Sequence, residues 1–106
     1  MSAPELNATT FRETIQSSEP VLVDFHAEWC PPCKALGPTI DALAADHAGR
    51  VGKLNVDDER EIAREYGIKN IPTILVFKDG EPIERFVGLT AREDLERALN
   101  SERLAS

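Results

Sequence analysis

The chain has 106 residues, with 12 Lys or Arg against 19 Asp or Glu, so its formal net charge is −7 at pH 7. This length suits a single domain over residues 1–106, and the acidic excess argues against nucleic acid or an anionic membrane as a partner. The first residues lack the basic and apolar regions of a signal peptide, and no apolar stretch approaches membrane length. We therefore expect a cytoplasmic protein that does not act at a membrane.

The first half of the chain predicts helices and strands in alternation. Thr10 and Glu13 have the spacing of a capping box and predict a first helix over about residues 9–17. The apolar run 21–25 predicts a strand buried on both faces, and residues 51–56 predict a second strand. Such alternation is typical of parallel strands with helices packed on the sheet.

Two more helices are expected in this half. After the cysteines, apolar residues recur every three or four positions and predict a helix to about Ala48. Pro38 lies inside this helix and removes an N–H, so a kink is expected near it. The charged segment 59–66 suits a short helix that ends at Gly67.

The second half of the chain predicts a hairpin. Apolar runs at residues 73–77 and 83–87 flank the pair Asp79-Gly80, a strong signal for a tight turn between antiparallel strands. Pro82 cannot donate to a strand ladder, so the second arm should be an edge strand.

Thr90 and Glu93 form a second capping-box pattern, which predicts a last helix to about Arg103. Together these elements predict an α/β domain with a central mixed β-sheet and helices on both faces.

The only two cysteines are Cys30 and Cys33, separated by Pro31 and Pro32 at a predicted helix start. A helix start stabilises a thiolate, which is the reactive form of cysteine, so Cys30 is the expected nucleophile. The prolines lack an N–H, which leaves Cys33 and Lys34 as the nearest backbone donors. Cys33, one turn inside, should be more shielded and act as the resolving thiol. A purely structural disulfide is disfavoured, because so short a loop saves little chain entropy.

Asp24 interrupts the apolar run of the first predicted strand. It could lie in water at a sheet edge or in a structural ion pair. Alternatively it could be buried, which would raise its pKa and let it exchange a proton with Cys33. Lys53, on the neighbouring predicted strand, is a plausible partner for this carboxylate.

The chain resembles the thioredoxin family, and the resemblance covers nearly its whole length. Several ordered motifs together are more specific than one cysteine pair. The matching segments are residues 23–25, 27–30, 53–57, 66–68, 71–73, 78–80 and 87–88.

The resemblance implies roles for four residues. Cys30 would attack, Cys33 would resolve, and Asp24 would carry protons. It also implies a cis bond before Pro72, whereas the sequence without the resemblance predicts trans, since only about 5% of X-Pro bonds are cis.

The resemblance further implies a shallow apolar groove that binds an extended substrate segment. Ordinary packing is the competing interpretation of its apolar residues, favoured for Val87 but not for Trp29. The implied substrate-binding residues are Trp29, Pro31, Pro32, Ile71, Pro72, Val87 and Gly88.

The same resemblance implies partners. These are target proteins that contain disulfides, and a thioredoxin reductase that draws on NADPH. The sequence itself does not distinguish this donor from a ferredoxin-linked or specialised one. No bound cofactor is required, no metal is expected, and the protein should be a monomer.

Two positions depart from the family pattern. Pro31 stands where glycine is usual, so one N–H near Cys30 is lost and its thiolate should be less stabilised. His26 stands where tryptophan is usual. It could titrate near neutral pH and perturb the site, or it could fill space or face solvent.

Two other functions remain open from the sequence. A metal centre could use Cys30, Cys33, His26 and perhaps His47, although His47 lies some 20 Å along the predicted helix at about 1.5 Å per residue. The domain could also be an interaction subunit that uses its groove without turnover.

Overall fold

The computed structural model describes the backbone of residues 2–105 and the side chains of residues 2–100. Its four strands form one sheet in the order β2-β1-β3-β4. Strand β1 pairs in parallel with β2 and antiparallel with β3, and β3 pairs antiparallel with β4, so the predicted mixed sheet is confirmed. The strands are β1 (Val21–His26), β2 (Val51–Asn55), β3 (Thr73–Lys78) and β4 (Glu81–Val87).

Helices cover both faces of the sheet, as predicted. One apolar core joins one face to α2 and α4, and a second core joins the other face to α1 and α3. Among the helices of the described residues, none combines the length and apolar character needed to cross a membrane. The helices are α1 (Ala8–Thr14), α2 (Pro31–Asp46), α3 (Arg60–Glu65) and α4 (Arg92–Ala105).

Strand β1 lies inside the sheet, and its first five residues are buried. Successive side chains of a strand point to opposite faces. Val23 and Phe25 enter the core with α1 and α3, whereas Leu22 enters the core with α2 and α4. Asp24 therefore shares the face of Leu22, under the helix that begins beside the cysteines.

The Asp-Gly hairpin joins β3 to the edge strand β4, as predicted. Asp79 and Gly80 have φ values of 53° and 83°, the left-handed region in which Asp is tolerated and Gly is unstrained. The N–H groups of these two residues donate to the carbonyls of Ser17 and Ile15, each at 2.8 Å. These bonds tie the turn to the end of α1.

The first helix starts one residue before its predicted start, and the predicted capping residue was wrong. Asn7 is the cap: its side chain accepts the N–H of Thr10 at 2.9 Å, and its own N–H donates to the Thr10 hydroxyl at 2.9 Å. Thr10 thus closes a capping box from the third position, where Glu13 was expected. The helix ends at Thr14, three residues before the predicted end.

The predicted cap of the last helix was also wrong. Helix α4 begins at Arg92, and the carbonyl of Ala91 accepts its first N–H bonds, from Asp94 and Leu95. The Thr90 hydroxyl donates instead to the Gly88 carbonyl at 3.0 Å, inside the loop after β4. The remaining predicted helices agree with the structure to within two residues, and the kink at Pro38 stays a prediction.

Candidate active site

Cys30 is the N-cap of α2, and Pro31 and Pro32 are its first two helical residues. Proline suits this place because its fixed φ is helical and its missing N–H would have no partner within the helix. Cys30 and Cys33 form a disulfide with their Cα atoms 5.3 Å apart. The N–H of Cys33 donates to Cys30 Sγ at 3.2 Å. This contact would stabilise negative charge on the Cys30 sulfur when the bond is open.

The two cysteines are almost equally buried, at 3% exposed for Cys30 and 5% for Cys33. The expectation that Cys33 is more shielded is therefore wrong for the disulfide form, because the bond holds both sulfurs in one cluster with Ala27. The Lys34 N–H was expected to be a nearby donor for the Cys30 sulfur. This expectation is also wrong, since that N–H donates to the Cys30 carbonyl at 3.1 Å. The cysteines differ in hydrogen bonding: only Cys30 Sγ accepts the helix N–H.

The capping geometry shows that the N–H missing near the Cys30 sulfur is that of Pro32. An N-cap side chain accepts N–H groups from the second and third helical residues, which here are Pro32 and Cys33. Pro31 is the first helical residue, whose N–H does not reach the cap side chain. The sequence-based expectation that placed the loss at Pro31 is corrected accordingly.

We expect Pro32→Ala to increase the thiolate-to-thiol ratio of Cys30 at pH 7 by roughly threefold to tenfold, because one more N–H would meet the sulfur. Pro31→Ala is the matched control and should change the ratio much less. The ultraviolet absorbance of the thiolate in the reduced protein measures both. Equal increases in the two variants would contradict the capping explanation.

The segment before β3 lies against the disulfide. The Ile71-Pro72 bond is cis, as the resemblance implied. The Ile71 carbonyl oxygen lies 3.7 Å from Cys30 Sγ, and the Pro72 carbonyl accepts the N–H of Gly88 at 2.7 Å. Gly88 has φ +89°, a conformation that favours glycine. The structure thus brings Ile71, Pro72 and Gly88 together with Cys30.

Large apolar side chains are exposed around this segment. Trp29 is 67% exposed, and its indole N–H donates to Asp57 Oδ2 at 2.7 Å. Val87 is 56% exposed, so the packing interpretation of Val87 is wrong. Leu89, at 63% exposed, was missed from the sequence. Its signal was an apolar residue after Gly88, outside the apolar stripe of the following helix.

Asp24 is buried, with 2% of its surface exposed, so its interpretation as a solvated edge residue is wrong. Within the described residues its Oδ1 atom has no hydrogen-bond partner. Burial raises the pKa of Asp24 from 3.8 to about 6, opposed first by the charge of His26 and then by that of Lys53. Lys53 lies directly opposite Asp24 in the pairing of β1 with β2. The carboxyl group can therefore gain or lose a proton near neutral pH.

His26 does not face solvent. Its side chain is 13% exposed, and its Nε2 lies 2.9 Å from Glu5 Oε2. His47 pairs with Glu96 at the far end of α2. Over the described residues, no three His, Cys, Asp or Glu side chains are grouped so that they could hold a metal ion. The geometry therefore gives the metal-centre interpretation no support.

A disulfide at a helix start, a cis-proline segment against it and a buried carboxylate on the adjoining strand define a dithiol-disulfide exchange domain. The family model described as Thioredoxin matches residues 2–101. The chain belongs to the thioredoxin family.

Individual thioredoxins are similar to this chain over most of its length. The chain is 42% identical to a thioredoxin from Porphyra purpurea, over 94% of this chain and 96% of the relative. It is also 42% identical to a thioredoxin from Alicyclobacillus acidocaldarius, over 89% and 91% of the two chains. The solved structure of a variant thioredoxin from Halobacterium salinarum NRC-1 is similar with a TM-score of 0.84 at 32% identity, over 94% and 89%. The protein is a thiol-disulfide oxidoreductase that reduces protein disulfides through its cysteine pair.

Proposed function

We propose that Cys30 is the attacking thiolate and Cys33 the resolving thiol of this reaction. Cys30 Sγ attacks one sulfur of a target disulfide, the target's other sulfur leaves as a thiolate, and a mixed disulfide remains. Cys33 Sγ then attacks Cys30 Sγ, the bond to the target breaks, and the Cys30–Cys33 disulfide forms. Two electrons have passed to the target. The observation that carries this order is the Cys33 N–H at 3.2 Å from Cys30 Sγ.

Asp24 is the proposed proton acceptor for the second step. Cys33 must lose a proton as it attacks, and a buried carboxylate with a pKa of about 6 is ionised at neutral pH and able to take it. Lys53 is proposed to support the ionised form from the paired strand.

The groove beside the disulfide is the proposed binding surface for the target. An extended target segment would pair with the backbone at Ile71, before the cis-proline, and cover the exposed apolar side chains. The 67% exposure of Trp29 and 56% exposure of Val87 support an intermolecular role for these side chains. The proposed surface consists of Trp29, Pro31, Pro32, Ile71, Pro72, Val87 and Gly88.

The physiological setting is part of the proposal. The chain would act as one domain and as a monomer in the cytoplasm, without a bound cofactor. Proteins that contain accessible disulfides would oxidise it, and a thioredoxin reductase that draws on NADPH would reduce it again. The family assignment supports a reductase of this kind.

Reduction of insulin disulfides tests the proposal. With dithiothreitol as the electron source we expect catalytic acceleration, and with NADPH we expect it only when a suitable reductase is added. Acceleration with dithiothreitol but with none of the reductases would contradict the NADPH-linked partner alone. No acceleration with either source would contradict the catalytic function.

A further inference from the structure

The face of the sheet that carries Asp24 also carries a second titratable group, His26. The two residues are two apart on β1, so they point to the same face with Cα atoms roughly 6.6 Å apart. Lys53 lies opposite Asp24 on β2. Three ionisable side chains thus belong to one face at the end of β1 that leads to the cysteines.

His26 is held in place from outside the sheet. The N-terminal segment runs beside β2: the N–H of Leu6 donates to the Lys53 carbonyl at 2.7 Å, and the N–H of Lys53 donates to the Pro4 carbonyl at 2.9 Å. These bonds fix Glu5 where its carboxylate reaches the His26 imidazole at 2.9 Å. The half-exposed carboxylate therefore pairs with an imidazole that is itself largely buried.

The charges that act on Asp24 come from four parts of the chain. His26 on β1 and Lys53 on β2 lower its pKa, with His26 the stronger of the two. Glu5 in the N-terminal segment and Asp41 on α2 raise it. Strand β3 places the apolar Ile74 opposite Asp24, without a charge.

We propose that His26, held by Glu5, is a positioning residue of the disulfide reaction that acts through Asp24, its positive charge favouring the carboxylate that accepts the Cys33 proton. This rests on the role of Asp24 in the proposed function. The carboxylate takes the Cys33 proton while Cys33 Sγ attacks Cys30 Sγ, and the target leaves as a thiolate. Because burial raises the pKa of Asp24 to about 6, the carboxyl is only partly ionised near pH 6, and the support should matter most there.

The direct test is the titration of the Asp24 carboxyl carbon, followed by carbon-13 NMR in the reduced protein. In His26→Gln the midpoint should rise by roughly half a pH unit or more, since a nearby charge that lowers the pKa of Asp24 is lost. In His26→Lys, which stays charged at all relevant pH values, the midpoint should fall below that of the wild type. His47→Gln is the matched control, because it removes the chain's other histidine from a similar pair with Glu96 and should leave Asp24 unchanged.

The functional test is the rate at which a preformed mixed disulfide releases its target. We expect His26→Gln to be roughly two- to threefold slower than wild type at pH 6 and equal to it at pH 8, following the ionised fraction of Asp24. An Asp24 midpoint unmoved in both His26 variants overturns the inference. A His26→Gln release profile equal to that of the wild type also overturns it. If Asp24→Asn is still slowed in that case, the proposed function stands. An Asp24→Asn release profile equal to that of the wild type overturns both this inference and the proposed role of Asp24.

Discussion

Replacing Cys33 by Ser should turn the protein from a catalyst into a trap that holds its target covalently. Cys30 retains the N–H of residue 33, so it still attacks a target disulfide. Without a second thiol the mixed disulfide cannot resolve internally. Incubation with insulin should give an adduct that is visible on non-reducing electrophoresis, has the summed mass by mass spectrometry, and is released by dithiothreitol.

Cys30→Ser is the matched control. It should form no adduct, and turnover should fall by about a thousandfold or more, because the attacking nucleophile is removed. The comparison is needed because burial in the disulfide form is nearly the same for the two cysteines, at 3% and 5% exposed. An adduct through Cys33 in the Cys30→Ser variant, with none in Cys33→Ser, would reverse the proposed roles.

The strands and the hairpin could be predicted because their causes are local. A short apolar run such as 21–25 has few alternatives to a buried strand, and Asp79-Gly80 supplies the two left-handed residues that a tight turn requires. The helix caps at Thr10 and Thr90 were assigned wrongly for a related reason. Several polar residues near each start could cap it, and only the backbone path selects between them.

Within the site, the cysteine pair could be predicted because spacing alone brings the sulfurs together. The surroundings of His26 could not, because Glu5 is distant in sequence and reaches it only through the bonds of the N-terminal segment to β2. The same holds for the contact of Trp29 with Asp57. The burial of Asp24 also depended on strand order, since only an interior strand with a helix above it excludes water from that face.

Removing the charge of Asp24 should stabilise the fold at neutral pH. Burial raises the pKa of this carboxyl from 3.8 to about 6, so the folded state binds its proton more tightly than the unfolded state does. Its contribution to stability is therefore complete below about pH 3.8 and is lost as the pH rises through about 6. A rise of this size in the pKa corresponds to about 3 kcal/mol in the free energy of unfolding.

We therefore expect Asp24→Asn to unfold with nearly the wild-type free energy at pH 4, and to be more stable than the wild type by up to about 3 kcal/mol at pH 8. Urea unfolding of the disulfide form at both pH values measures the difference. Asp58→Asn, at an exposed carboxylate, is the control and should change the free energy by less than about 0.5 kcal/mol at either pH.

The same variant should release targets more slowly, because an amide cannot accept the Cys33 proton. Stability and rate would then move in opposite directions from one substitution, as expected of an ionisable group buried for chemistry and not for packing. If the free energy of unfolding changed with pH equally in the wild type and in Asp24→Asn, the raised pKa of Asp24 would be contradicted. A lower free energy of unfolding for Asp24→Asn than for the wild type at pH 8, with unchanged release, would instead assign Asp24 a structural role.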